Sequence, residues 1–487
     1  MITEVLVACL LLIWLPIVLV QINQRGFLIL LIWLFVAPIA SNVVRRPQTN
    51  PFFEVSAVED ADLGRKERRA GYGTAETTIK LNEVLEPSRL LFGAYLLVFL
   101  LSALKRKRPQ VPLDKTEKWM AAFSVLLVAS VLLQSTRTAF GLRIASDAFI
   151  VPFLSYAVAR RLVISEDRFR KLTQVLGFMG FCLILISLIE RLVHPSITYR
   201  LKGPFDFRDA LFIVMMVVFF AVLMDLVSTS RQGQKPVLPR GIQICIVSLA
   251  PVIIFLTWTR GLWLGFLLGI WTVAFLGRKL VMWRRKLLIL GLVLGLFPVA
   301  VLAVQELLGV EEVYSRVANT RNIHGRLGTY EIMLGEASKN PVFGIGLNNA
   351  RDVLWEKREQ TSSGVKSYFV SHNSYLALVT ELGAMGLLGY LAIMASIFGM
   401  GVRVFRMEKL PQDCWRGIGV IAIMVAYLIP AAFDTTLYRP WLPPIYVFVY
   451  FGGVAGLYDL SRLQRPVRQI QSHLQRPGDP SELKQKA

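Results

Sequence analysis

Apolar stretches close to the roughly 20 residues that an α-helix needs to cross a bilayer recur along almost all of this 487-residue chain. Spans read at 4–22, 27–44, 89–104, 119–135, 141–159, 171–190, 209–228, 241–257, 261–277, 287–305, 374–401, 417–433 and 441–458. In lipid, backbone polar groups must be satisfied within each segment, so runs of this length predict helices. The expected fold class is an all-α polytopic membrane protein with about 12 to 13 transmembrane helices. A formal net charge of +21 invites the thought of nucleic acid, but the cations fall largely in short connectors. Lys105-Arg106-Lys107-Arg108, Arg160-Arg161 with Arg168 and Arg170, Arg278-Lys279 with Arg284-Arg285-Lys286, and Arg403 with Arg406 and Arg416 occupy alternate connectors. The positive-inside rule places these in the cytoplasm, so the charge is a topology signal. The lipid bilayer is the expected partner, and nucleic acid is not.

The same register divides the chain into N-terminal transmembrane helices (1–305), a large outer segment (306–372), C-terminal transmembrane helices (373–459) and a cytoplasmic tail (460–487). Short loops around Arg137, Arg200, Arg260 and Arg439 fall on the outer side with the large segment. Segment 45–88 fits this scheme less well, because Arg45, Arg46, Arg65, Lys66, Arg68 and Arg69 would lie outside too. Met1-Ile2-Thr3-Glu4 lacks the basic start of a cleavable signal peptide. Cys9, Cys182, Cys245 and Cys414 lie in spans or a cytoplasmic connector and form neither a disulfide framework nor a zinc spacing. The tail, with Arg465-Pro466 and Arg476-Pro477-Gly478-Asp479-Pro480, cannot bury an apolar core and is expected to be disordered after about 465. The outer segment holds eight basic and eight acidic residues and reads as folded. Arg326 to Lys339 carries helical apolar spacing, Asn340-Pro341 is a stop signal, Phe343-Gly344-Ile345-Gly346 is a tight turn, and a second short helix runs from about Asn348 to Arg358.

His372 stands where this polar segment becomes an apolar helix, and it is one of four histidines in the chain. Imidazole takes up a proton near neutral pH and a helix N-terminus disfavours its charged form, so the position suits a base. Counting about 100° per residue, Gly383 and Gly386 fall roughly 20° and 40° from the face of His372, with Glu381 nearly opposite, as structural support. The alternative is an interfacial histidine above a close-packing glycine face. Arg260, in the very short turn Thr257-Trp258-Thr259-Arg260-Gly261, belongs at the outer membrane surface, where its planar donors suit a diphosphate. Its alternative is a side chain snorkelling to headgroups. Arg326 at the start of the outer helix, and Arg200 with Lys202 before Gly203-Pro204-Phe205, are further anion-binding candidates, or else ordinary surface charges. Asp147 lies inside a span and needs a partner, either an outer arginine or a proton path. No phosphate loop, zinc-protease motif, outer Asp-x-Asp pair or Gly-x-Ser-x-Gly is found, so no metal and no cofactor is expected.

Taken together, these residues resemble the O-antigen ligase and polymerase superfamily of multi-span enzymes. His372-Asn373, nine residues, then Gly383-x-x-Gly386 matches the ligase motif at every fixed position. Thr259-Arg260-Gly261 is similar to the family's Ser-Arg-Gly, Arg326 followed by Pro341 and Gly344-x-Gly346 to its outer loop, and Arg200 to Phe205 to an earlier loop. The resemblance implies a GT-C-like membrane glycosyltransferase of the bacterial inner membrane, with its site and a partly helical loop in the periplasm. It implies metal-independent, inverting transfer from an undecaprenyl-diphosphate-linked glycan donor to a glycan or lipid A core acceptor. His372 is then the base, with Arg260, Arg326 and Arg200 holding the diphosphate and Asn373, Glu381, Gly383 and Gly386 in support. Ligase, polymerase and protein-glycosylating relative stay open, and a polysaccharide flippase or other transporter is the competing class.

Overall fold

A computed structural model describes residues 27–28, 30–35, 112–136, 138–194, 201, 205, 208–232, 235–257, 259–277, 321–357, 371–407, 411–434, 436–438 and 442–474. All regular structure among them is helical. The elements are α1 (Lys115–Gln134), α2 (Thr138–Ile144), a π-helical turn (Ala145–Ile150), α3 (Val151–Leu162), α4 (Glu166–Val193), α5 (Arg208–Gln232) and α6 (Arg240–Phe255). They continue with α7 (Arg260–Gly277), α8 (Arg321–Lys339), α9 (Ala350–Lys357), α10 (Ser374–Phe405), α11 (Pro411–Ala431), a 3-10 turn (Thr436–Tyr438) and α12 (Leu442–Leu474). Among the described residues, seven helical segments are long and apolar enough to cross a membrane, α6 being a shorter apolar helix. The spans expected at 4–22, 89–104 and 287–305 lie outside the described residues, as do most of 27–44, Arg200, segment 306–320 and the tail beyond 474.

The chain is a multi-pass membrane protein organised around α5, whose residues from Ala210 to Met224 are buried on every side. A helix apolar all round presents no polar face to water, so it suits the centre of a bundle. Beside it, α7 and α11 pack closely against each other, through a stripe on α7 at four-residue spacing: Gly261 meets Phe433, Gly265 meets Pro430 and Gly269 meets Ala422 and Ala426. An added Cβ at Gly265 would stand 2.8 Å from the Ala426 carbonyl oxygen. The helices run antiparallel, so the start of α7 and the end of α11 share one end of the bundle.

The two ends of the bundle differ in chemistry. Asp114 and Glu117 form a capping box at the start of α1, with Glu117 N–H donating to the Asp114 carboxylate at 2.6 Å and Asp114 N–H to Glu117 at 3.1 Å. Arg160, almost fully buried at the end of α3, binds Glu117 at 2.6 Å, Asp459 at 2.6 Å and the Pro112 carbonyl, and Arg161 also reaches Glu117. Arg416 at the start of α11 pairs with Asp413 and with Glu166 at the start of α4. These basic residues, all expected in cytoplasmic connectors, collect at one end, while Arg260, Arg326 and His372 lie at the other. Inside the bundle, Asp147 is 3.7 Å from Arg143 within the π-helical turn, the outer arginine expected as its partner.

Three expectations are corrected. The apolar run 374–401 is not one straight span: Gly383 adopts φ 65° and ψ −165°, breaking α10 into an arm (374–382) and a spanning part (384–405). Ser374 is tied to Asp434 beyond the end of α11, whereas Gly401 meets Val420, so 27 residues of α10 run beside only 14 of the α11 strand of chain. A straight antiparallel pair cannot do this, and the bend at Gly383 absorbs the difference. The spanning part, rising about 1.5 Å per residue, is by itself long enough to cross the roughly 30 Å hydrocarbon core. Second, α8 begins at Arg321, not at Arg326. Third, α12 continues past the apolar stretch to Leu474, because the chain from Leu463 onward is rich in Gln, Arg and Leu, which favour helix.

Candidate functional site

The arm of α10 is set at both ends by backbone geometry. At its start, the Asn373 side chain accepts from Leu376 N–H at 3.0 Å and caps the helix, while Ser371 bridges to Asn373. Immediately before the cap, His372 has φ 46°, a left-handed conformation that costs a non-glycine residue roughly 1 kcal/mol or more. At its other end the arm meets the turn after α8. Ile345 N–H donates to the Thr380 carbonyl, Gly346 to Glu381, Ala384 to Pro341 and Met385 to Val342, at 2.8–3.2 Å. This approach leaves no room for side chains. A Cβ on Gly383 would overlap the Val342 carbonyl, and one on Gly344 would overlap the backbone of Glu381. Gly386 faces the Leu382 side chain, which the bend brings over it.

The motif glycines therefore receive a loop and do not form a face beneath His372. The expectation that His372, Gly383 and Gly386 share one helical face fails because His372 precedes the helix and Gly383 interrupts it. The Glu381 carbonyl accepts the Gly346 N–H, and its side chain is buried.

His372 is held against the end of α11. The buried Ser374 hydroxyl donates to the Asp434 carbonyl at 2.8 Å and accepts from Leu437 N–H at 3.1 Å, joining the arm to the turn after α11. The joint brings His372 Nδ1 to 3.7 Å from the Asp434 carboxylate. Asp434 is buried and the His372 side chain is 30% exposed. That distance exceeds a hydrogen bond, and a carboxylate facing Nδ1 favours the tautomer with the hydrogen on that nitrogen, which leaves Nε2 as the acceptor. The neighbouring Phe433 packs on Gly261, so the α7 glycine stripe fixes exposed Arg260 beside the same turn. Arg260 is the first residue of α7, where the helix dipole also favours an anion.

Helix α8 closes the arrangement. It runs parallel to the arm: Tyr330 hydroxyl donates to the His372 carbonyl at 3.3 Å, and Thr380 hydroxyl donates to the Met333 carbonyl at 3.2 Å. Burial raises the Tyr330 phenol above its ordinary range; Arg326 and the Asn373 side chain oppose this, and Asp434 adds to it. Arg326 lies one helical turn beyond Tyr330, about 6 Å along α8, on the side of His372 away from Gly383. The far side of the turn is anchored on α1, where Asn349 accepts from Thr136 N–H at 3.1 Å and donates to the Gln134 carbonyl at 2.8 Å. The second short helix expected after the turn is α9.

The structure thus brings together His372, Asn373, Arg260 and Arg326 at one end of the bundle. Arg200 lies outside the described residues, although its neighbour Leu201 donates to the Leu256 carbonyl at 3.2 Å, just before the Arg260 turn. Sequence reading missed Asp434 and Tyr330. An acid just past Pro430, at the outer end of an apolar span, was the available signal for Asp434; Tyr330 looked like one more apolar position of α8. Among the described residues no group of three His, Cys, Asp or Glu side chains is placed to hold a metal ion.

A search of curated proteins finds no match to the chain. A protein-family model described as O-antigen ligase matches residues 245–391, a stretch that includes Arg260, Arg326, His372, Gly383 and Gly386. The match covers residues 245–391 of the chain and supports an O-antigen ligase and polymerase type of function in general.

Proposed function

We propose that the protein transfers a glycan from undecaprenyl diphosphate to an acceptor sugar hydroxyl, with inversion, at the periplasmic face of a bacterial inner membrane. His372 Nε2 takes the proton of the acceptor hydroxyl as that oxygen bonds to the anomeric carbon of the donor. The bond from that carbon to the diphosphate oxygen breaks, and undecaprenyl diphosphate leaves with its chain still in the bilayer. Asp434 holds the imidazole in the acceptor tautomer and balances the positive charge it gains. Arg260 and Arg326 supply the charge and planar donors that meet the growing negative charge on the leaving group, so the reading invokes no metal. The observation that carries it is the pairing of His372 with a buried carboxylate, at the same end of the bundle as two arginines. The acceptor is another lipid-linked glycan or lipid A core.

The test is transfer by purified protein in chelator, with an undecaprenyl-diphosphate oligosaccharide as donor and both acceptors offered in competition. Longer lipid-linked glycan marks a polymerase and glycan on the lipid core marks a ligase. Folded His372→Ala protein is expected to give neither, and wild-type turnover by that variant overturns the mechanism.

A further inference from the structure

The turn that docks in the α10 bend carries two apolar side chains the site does not use. Val342 and Phe343 are 50% and 57% exposed at its tip. Their backbone is pinned: the Val342 carbonyl accepts from Met385 N–H at 3.2 Å, and Gly344 N–H donates to the Asn340 carbonyl at 2.9 Å. Met385 heads an exposed stripe on the spanning part of α10, continuing through Leu388, Leu391 and Phe398. Spacing of three to seven residues puts these on one helical face, and in a membrane span an exposed apolar face meets lipid. Because the spanning part starts at residue 384 and is about one hydrocarbon core long, Met385 sits near the core's edge on the site-bearing side. Val342 and Phe343 lie directly over that edge. On the other flank of the turn, Gly346 abuts Gln134 at the end of α1, whose Leu132 and Leu133 are exposed as well.

We infer that the Val342-Phe343 tip is a membrane foot, inserted into the lipid interface of the site-bearing leaflet as a continuation of the α10 lipid-facing stripe. The occupant of this surface is the bilayer itself. An aromatic ring at the hydrocarbon edge is favoured there, and solvent exposure of two adjacent large apolar side chains is not. Through α8, the foot would set the height of Tyr330 and Arg326 above the lipid. The inference rests on the membrane architecture and not on the proposed chemistry, so either can fail alone.

The experiment is photocrosslinking of full-length protein in phospholipid nanodiscs, with a benzoylphenylalanine in place of Phe343, and in separate preparations in place of Leu388 or Glu356. The Leu388 position reports the lipid-facing stripe, and Glu356 is an exposed charged position on α9. Phospholipid adducts at 343 in yield comparable to 388, with none above background at 356, are expected. Adducts at 343 at the level of 356, or crosslinking of 343 to a second copy of the chain in place of lipid, overturns the inference. A Phe343→Asp variant gives an independent readout: loss of lipid adducts from a photoprobe at 342 supports insertion, and unchanged adducts there count against it.

Discussion

Replacing Asp434 by Asn removes the charge facing His372 while keeping the side chain's size and the main-chain carbonyl that Ser374 binds. The ion-pair separation is 3.7 Å. With an effective dielectric of about 20, opposite unit charges at that distance attract by roughly 4 kcal/mol. The imidazole is 30% exposed, so solvent weakens this, and about half, ~2 kcal/mol, is a reasonable share. The attraction exists only once His372 has taken the acceptor proton, so it belongs to the transition state. Asp434→Asn should therefore lower kcat by about 30-fold with little change in KM for the donor. Initial rates at saturating donor, with thermal melting as a check on folding, measure this. Asp434→Glu should recover part of the rate, because a carboxylate is restored even though its position moves. A folded Asn variant that keeps wild-type kcat while His372→Ala is dead would refute the coupling, and Asp434 would then be a structural residue of the α11 turn.

Arg260→Lys and Arg326→Lys should each lower kcat/KM for the lipid-linked donor by about ten- to a hundredfold, because lysine keeps the charge but loses the bidentate fork; wild-type kcat/KM in both folded variants would argue against that role. Gly383→Ala forces a side chain into a backbone conformation used almost only by glycine and into the Val342 carbonyl, so the melting temperature should fall by an amount reflecting at least about 2 kcal/mol, and a wild-type melt would contradict the docked turn. Tyr330→Phe removes one hydrogen bond to the His372 carbonyl, worth about 1 kcal/mol. Since burial raises the Tyr330 phenol in the folded protein, its stabilising contribution is complete below the ordinary phenol pKa and fades as pH rises through the higher folded value, so the Phe variant should lose that alkaline step in a melting-versus-pH series. One alanine inserted after Leu378 should abolish transfer while leaving the membrane insertion measured by fractionation intact.

How much of this was legible depended on where the physical cause lies. Bilayer thickness acts on each span separately, so local hydropathy placed α1, α4, α5, α6, α7 and α11 within about six residues of their observed bounds, and the span read at 141–159 takes in the end of α2, the π-helical turn and most of α3. Asn340-Pro341 and Gly344-Ile345-Gly346 likewise carry their turn locally, and Gly344 and Gly346 do take positive φ. The bend at Gly383 was hidden because glycine is common in membrane helices, and only the docked turn, some 40 residues earlier in sequence, requires its left-handed backbone. The pairing of His372 with Asp434 is likewise non-local. Nothing within either apolar run announces the other, and the Ser374 hydroxyl that joins them reads in sequence as an ordinary residue at the start of a helix.

The bend also explains why the spacing in the motif matters. Nine residues separate Asn373 from Gly383, and as a helix they measure about 13 Å between the α11 turn that holds His372 and the α8 turn that fills the bend. Helix α8 runs the same way beside it, from the Tyr330 contact at the His372 carbonyl to Pro341 at the bend. Arm, turn and α8 thus form a closed frame in which His372 and Arg326 are separated by helix lengths, not by flexible loop. Adding one residue to the arm would turn one end by about 100° against the other, and either the His372 and Asp434 contact or the four hydrogen bonds at Gly383 would be lost. A catalytic histidine on an ordinary loop would tolerate that change. The spacing from His372 to Gly383 is therefore a measure of the frame that sets α8, and with it Arg326, relative to His372.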